Sequence, residues 1–262
     1  MRAKLIFASR DDKGILLPLH YNHLLQHLIY HLLPPDLAEN LHEEGFRYGK
    51  RHFKLFTFSR ILQKGRFQKV EGRRKLFFPR GFSFCFATPR HEILENLIKE
   101  ALLRRSVDLM GQEVFLNRVE VCPEATLQRT LFLRFLSPVT VYRTREEDGK
   151  RKTHFFSPTD VEFGRLLLEN ARKKYFLVSG RNADQLEFTI SPYRFSPERN
   201  KAVVLFKGTP IVGWTGVFRM EGDPELLEVT YQAGLGNKNS AGFGMWEVWR
   251  NPRESGSETE RN

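Results

Sequence analysis

Apolar positions along the chain fall into two successive series with the same order of spacings. The first opens on a strand-like run at residues 4–8. A helical period follows over about 20–33, with Leu24, Leu25, Leu28, Ile29 and Leu32 on one side, which must face a core. Pro34-Pro35 break that helix, Asp36 caps a shorter one that reaches Glu44, and Gly45 ends it. Two aromatic-rich stretches, 53–62 and 75–88, read as strands on either side of a basic turn region at 63–74. Residues 91–106 regain helical spacing through Ile93, Leu94, Leu97, Ile98, Ala101 and Leu102, and a strand near 114–121 closes the series.

Pro123-Glu124 separates the two series. The second has a strand at 131–141, a helix near 159–174, strands near 186–190 and 202–217, a short helix from Asp223-Pro224 and a last strand near 245–249. Each series reads as βαββαβ. That order predicts an α+β chain of two tandem ferredoxin-like (RRM-like) domains, residues 1–124 and 125–250. Residues 251–262 are polar and charged and are expected to be a disordered tail. Arg80-Gly81-Phe82-Ser83-Phe84-Cys85-Phe86 approximates the RNA-recognition-motif signature and falls on the third strand of the first series. Alternating phenylalanine in a strand is commonly core packing, so the motif supports the fold; base stacking by Phe82 and Phe84 is the alternative.

Composition sharpens the picture. The 262 residues are 40% hydrophobic with 23 phenylalanines, enough to fill folded cores. No apolar run approaches the ~20 residues of a membrane span, and the start is too soon polar for a secretory signal. Cys85 and Cys122 lack metal-ligand spacing and read as buried thiols, so a reducing cytoplasm is expected. Charge is concentrated. Between Arg47 and Arg80 stand twelve Lys/Arg and one acid, Glu71, a surplus equal to the whole chain's +11. A basic block nearly free of acids points to a polyanion partner rather than to a solvated face. Arg73 and Arg74, in the basic turn, are candidates for following a phosphate backbone.

The most distinctive segment runs from Ala233 to Gly244. Gly234, Gly236, Gly242 and Gly244 let the backbone approach a bulky partner, and Asn237, Lys238, Asn239 and Ser240 supply donors and one cation. Main-chain N–H groups and a lysine suit a phosphate backbone, with a plain connecting loop as the other reading. The spacing is neither G-x-G-x-x-G nor a P-loop, which disfavours a nucleotide cofactor. On the first helix, His20, His23, His27, Tyr30 and His31 fall on one arc. His23 and His27 stand at i, i+4, but no acidic third ligand or HExxH glutamate accompanies them, so no metal site is expected.

The G-x-G-x-K-N-S-x-G-F-G-M run resembles the signature loop of the CRISPR-associated endoribonucleases that cut repeat RNA into guide RNAs. Tyr21-Asn22-His23 through Leu28-Ile29-Tyr30, and Lys54-Leu55-Phe56-Thr57-Phe58-Ser59, carry the same resemblance, which spans nearly the whole chain. The resemblance implies the tandem ferredoxin-like fold and a catalytic tyrosine, histidine and lysine at Tyr30, His42 and Lys54. It implies metal-independent cleavage without a cofactor, leaving a 2′,3′-cyclic phosphate and a 5′-hydroxyl. The implied partner is CRISPR repeat RNA; a CRISPR effector complex and a homodimer are left open. Two alternatives remain. His52 competes with His42 for a proton role, and a non-catalytic RNA-binding subunit would share the fold.

Overall fold

The computed structural model describes residues 1–10, 13–104, 106–147 and 149–250, so the expected tail at 251–262 lies outside the described residues. The first hydrophobic series forms an antiparallel sheet in the order Thr57–Phe58, Phe82–Ala87, Arg2–Ser9, Glu113–Val121, Val107–Asp108. Leu5 on the central strand stands opposite Phe84 on one side and Val119 on the other. Three helices, α1 (Asn22–His31), α2 (Pro35–Glu43) and α3 (His91–Leu103), belong to this half. Leu25, Leu28 and Ile29 of α1 and Ile93, Leu94 and Leu97 of α3 share one core with Leu5, Phe7, Phe82, Phe84 and Phe86. Strand alternation explains the partition: Phe82, Phe84 and Phe86 lie on one face, Ser83, Cys85 and Ala87 on the other.

The second series forms a four-stranded antiparallel sheet in the order Phe188–Tyr193, Val217–Gly222, Thr130–Phe135, Trp246–Val248. Its helices are α4 (Val161–Ser179), the one-turn α5 (Pro197–Asn200) and α6 (Pro224–Ala233). Phe163, Leu167, Ala171 and Tyr175 of α4 and Leu226 and Leu227 of α6 pack with Leu131, Leu133, Phe218, Met220 and Trp246. Both sheets place the first strand of their unit beside the third and the last, the ferredoxin-like arrangement.

The two units meet across the other face of the first sheet. Cys85 and Ala87 pack on Met245 and Leu136. Buried Arg2 donates from Nη2 to the carbonyls of Tyr231 (2.7 Å) and Trp246 (2.8 Å), with its guanidinium 3.6 Å from the Tyr231 ring centroid. Thus both faces of the strand carrying the RNA-recognition-like motif are covered, and Phe82 and Phe84 are core residues rather than a base-stacking platform. Cys122, expected to be buried like Cys85, is only half-buried.

Several expected strands divide at glycine turns. Residues 75–88 form two strands in different sheets, Arg73–Phe78 and Phe82–Ala87. The expected turn at 63–74 is largely the strand Arg66–Val70, paired with Arg73–Phe78 through a tight turn at Glu71-Gly72; Ile15–Pro18 completes that three-stranded sheet. Of 53–62 only Thr57–Phe58 joins the main sheet, while Arg51–Phe53 pairs with Phe46–Tyr48. In the second unit, 202–217 is a hairpin of Lys201–Phe206 and Thr209–Trp214 turning at Lys207-Gly208, both at positive φ (50° and 81°), and the sheet strand Val217–Gly222 follows it. The strand expected at 131–141 stops at Phe135, and a further hairpin, Tyr142–Glu147 with Lys150–Phe155, follows. Asp36 is not the cap of α2: Pro34 holds that position, and Asp36 adds its charge within the first turn.

Candidate active site and nucleic-acid interface

Tyr30, His42 and Lys54 come together. Tyr30 lies in the last turn of α1, His42 in the last turn of α2, and Lys54 directly after the strand Arg51–Phe53. The Tyr30 and His42 rings meet edge to face with centroids 5.7 Å apart, and Phe56 backs Tyr30 at 5.8 Å. Lys54 Nζ donates to the His42 carbonyl at 2.6 Å. Gly45 permits this closeness. It has φ +60°, and a Cβ there would stand 2.5 Å from the Phe53 carbonyl and 3.0 Å from Lys54 Cδ. A side chain would push the end of α2 away from the strand that carries Lys54.

Electrostatics separate the three groups. Burial pushes the Tyr30 hydroxyl up to about 12, so it stays a neutral phenol at physiological pH. Lys54 is pulled below its ordinary value, chiefly by burial, with the Glu43 charge acting in the opposite direction. His42 is exposed, and its Nδ1 lies 2.7 Å from Glu43 Oε1. With Nδ1 donating to that carboxylate, Nε2 is left free. His52 is also exposed, but its Nδ1 turns to the Glu44 carbonyl at 2.7 Å. The expected histidine arc divides in the fold: His20 lies before α1 and accepts the Leu205 N–H, His31 meets Arg104, and Tyr30 joins His42.

Beside the trio opens a cleft of about 690 Å³ between the two units. One wall carries Arg51, His52 and Lys54; the facing hairpin supplies Tyr142, Arg143 and Arg145; α4 contributes Asn170 and Lys174; the glycine-rich loop closes it with Asn237, Lys238, Asn239 and Ser240. Among the described residues no acid lines it. Tyr30 and His42 adjoin rather than line the cleft, next to its wall residues Phe56 and Lys54.

The glycine-rich loop is more tightly committed than its sequence suggests. The N–H groups of Leu235, Asn237, Ala241, Gly242 and Gly244 already donate to protein carbonyls, so they are not free for the anion-binding cradle expected from the glycines. A Cβ on Gly244 would meet the Leu235 carbonyl at 1.9 Å, and one on Gly242 would meet the Phe58 ring at 2.5 Å. Both glycines are therefore packing requirements, within the loop and against the first unit. Asn22 and Gln26 of α1 donate to the carbonyls of Ala241 and Ser240, and Thr57 donates to Phe243. Asn239 turns inward: its amide nitrogen donates to the Leu235 and Phe243 carbonyls. Lys238, left-handed at φ 59° and exposed, keeps its ammonium toward the cleft, 5.8 Å over the Tyr142 ring.

Lys174 was not legible as a site residue. It is 2% exposed, and its ammonium donates to the Gly234 carbonyl (2.7 Å), the Gly236 carbonyl (3.0 Å) and Asn239 Oδ1 (2.6 Å). Burial lowers its pKa to about 7. A lysine on the apolar stripe Phe163, Leu167, Ala171 was the available signal. Arg143 and Arg145 were missed too, although two arginines at i, i+2 in a strand share a face. Arg73 and Arg74 lie elsewhere. They are the exposed first residues of the strand Arg73–Phe78 in the separate three-stranded sheet and are not among the cleft residues.

The comparisons agree with this architecture. The model of the CRISPR-associated protein Cas6 N-terminal region matches residues 16–120, and that of the Cas6 C-terminal region matches 122–248. The chain is 30% identical over 240 residues to the CRISPR-associated endoribonuclease Cas6 of Pyrococcus furiosus, covering 90% of this chain and 85% of that protein. It is 26% identical over 246 residues to the CRISPR-associated endoribonuclease Cas6 1 of Methanocaldococcus jannaschii, covering 90% and 89%. A solved structure of a Cas6-related gene product from Pyrococcus furiosus superposes with a TM-score of 0.80 at 20% identity, over 96% of this chain and 99% of the other. No helix among the described residues is long and apolar enough to cross a membrane. The chain belongs to the Cas6 family of CRISPR-associated endoribonucleases.

Proposed function

We propose that this chain cuts CRISPR repeat RNA by using the RNA's own 2′-hydroxyl as nucleophile, leaving a 2′,3′-cyclic phosphate and a 5′-hydroxyl. The carrying observation is the meeting of Tyr30, His42 and Lys54 beside a cationic cleft that no acid among the described residues lines. Such a reaction needs a proton taken from the 2′-oxygen, a proton given to the leaving 5′-oxygen, and a cation against the phosphorane charge. His42, whose Nε2 is left free when Nδ1 is engaged with Glu43, carries a proton transfer. Tyr30 holds its proton to about pH 12, so it orients the 2′-hydroxyl by hydrogen bonding rather than acting as free base. Lys54 supplies the positive charge. Arg51, Arg143, Arg145 and Lys238 hold the phosphates along the cleft.

The test is single-turnover cleavage of the host's repeat RNA in EDTA, with end-group analysis of the products. Undiminished cleavage to cyclic-phosphate ends, abolished by one 2′-deoxy nucleotide immediately 5′ of the cut, is expected. Loss in EDTA that Mg²⁺ or Mn²⁺ restores would replace this mechanism with a metal-activated water. Tight binding without any cut would make the chain a repeat-RNA-binding subunit.

A further inference from the structure

The ribbon formed by Arg66–Val70 and Arg73–Phe78 carries charge that the fold does not use. The side chains of Arg66, Lys69, Arg73 and Arg74 are exposed, and among the described residues none of them has a carboxylate or hydrogen-bond partner. Arginines elsewhere on the surface lie against acids: Arg10 at Glu113 (2.8 Å), Arg129 at Asp223 (2.7 Å) and Arg219 at Glu221 (2.8 Å). Across the ribbon, Lys69 stands directly opposite Arg74. Like charges in directly opposed positions destabilise a strand pair. The third strand, Ile15–Pro18, pairs only as far as Lys75, so this opposed pair projects beyond it. Phe67 shares the face of Lys69 and Arg74, because residues at i, i+2 and directly opposed residues point the same way. It is 73% exposed, and its ring meets no other aromatic ring or cation among the described residues. One exposed ring is ordinary. A ring beside two opposed like charges is the combination that single-stranded nucleic acid uses, cations for phosphates and a flat surface for a base.

We propose that this ribbon is a second RNA-binding surface, separate from the cleft, that takes single-stranded RNA without regard to sequence. A phosphate seats between Lys69 and Arg74 and relieves their repulsion, while an unpaired base stacks on Phe67. Stacking needs an open π-face, which a base inside a duplex does not offer. Every base has such a face, and phosphate contacts carry no sequence information, so the surface is indifferent to sequence. An acidic peptide would match the cations but brings no succession of flat rings to Phe67, which favours RNA. Neither Phe67 nor the opposed pair lines the cleft. The chain can therefore hold the segment being cut beside the trio and a flanking stretch of the same transcript on the ribbon. That the polyanion is RNA rests on the reading of the chain as an RNA-cutting enzyme.

The experiment fills the cleft and asks whether the ribbon still takes RNA. Repeat RNA made non-cleavable by 2′-deoxy substitution at the cut is added to saturation, and binding of labelled oligouridine is followed by fluorescence anisotropy across a salt series. The saturated wild type should still bind oligouridine. Lys69→Ala with Arg74→Ala should lower the salt slope of that binding by about 0.7, the share of one phosphate on a single strand. Its Tm should be no lower than that of the wild type, because the two charges repel. Phe67→Leu should weaken oligouridine binding about fivefold or more at an unchanged slope, Phe67→Tyr should keep it, and neither should alter binding of an RNA duplex. Displacement of oligouridine by the repeat RNA, an unaltered slope in the alanine pair, or wild-type affinity in Phe67→Leu would overturn the proposal. A lowered Tm would overturn it too, by making these side chains structural. A wild type that cuts repeat RNA yet takes no oligouridine overturns the ribbon alone, whereas one that binds oligouridine but no repeat RNA overturns the proposed function instead.

Discussion

Lys174→Met isolates the clasp that holds the glycine-rich loop. The wild-type ammonium is buried, contacts three oxygens at 2.6–3.0 Å and has its pKa lowered from 10.5 to about 7. In the unfolded chain the same lysine titrates near its ordinary value. Between these two values the unfolded state holds a proton that the folded state has released, so stability rises with pH. One such group adds about 2.6 kcal/mol between pH 6 and pH 9, approaching about 1.4 kcal/mol per pH unit in the middle of the window. Methionine nearly matches the length of the stem and cannot titrate. Urea unfolding at pH 6, 7, 8 and 9 should therefore give a wild-type-minus-variant difference that climbs by that amount, all other groups cancelling. Parallel profiles would refute the reasoning: they would mean that the three oxygens offset burial and keep the clasp charged throughout. The variant should also bind repeat RNA more weakly while keeping the wild-type salt slope, because a buried lysine nitrogen committed to the loop's oxygens neutralises no phosphate.

His42→Ala should slow single-turnover cleavage by roughly 10²–10⁴-fold at nearly unchanged RNA affinity, with His52→Ala far milder, as measured on end-labelled repeat RNA; reversed effects would move the proton role to His52. Arg143→Ala with Arg145→Ala should lower the salt slope of binding by about 1.4, taking ~0.7 per phosphate on single strands, whereas Arg73→Ala with Arg74→Ala should leave it unchanged. The opposite pattern would route the RNA over the three-stranded sheet.

The legible part of the fold was the part written in periodicity. The α1 stripe from Leu24 to Leu32 and the α3 positions from Ile93 to Ala101 face a core as their spacing requires, whereas Leu102, expected on the same stripe, is 73% exposed at the end of α3. Strand boundaries were less legible, because several strands end at left-handed turns whose residues also occur inside continuous runs. Lys207-Gly208 closes a hairpin within what reads as one long strand, and Pro79 to Gly81 moves the chain between sheets. Tyr30, His42 and Lys54 were located by resemblance, and the fold brings these three side chains together. Lys174, Arg143 and Arg145 were not located, since each comes to the cleft beside residues far away in sequence. A buried lysine reads as an ordinary polar position until the carbonyls of Gly234 and Gly236 are placed around it.

The way the two units join decides where a nucleic acid can lie. In a free RNA-recognition-like domain the exposed sheet face carries the stacking aromatics. Here the aromatics of the third strand, Phe82, Phe84 and Phe86, point to the helices, and the opposite face is closed by Met245 and Leu136. The sheet has become an interface between units, sealed by Arg2 reaching the carbonyls of Tyr231 and Trp246. That sealing leaves the cleft beside it, where Arg51, Lys54, Arg143, Arg145 and Lys238 converge from both units. A cleft assembled this way exists only when both units are docked, and the glycine-rich loop is the part that measures the docking. Asn22, Gln26 and Thr57 hold it from the first unit, Lys174 from the second. Loosening any of these contacts should therefore disturb RNA grip before it disturbs the trio, which is built wholly within the first unit.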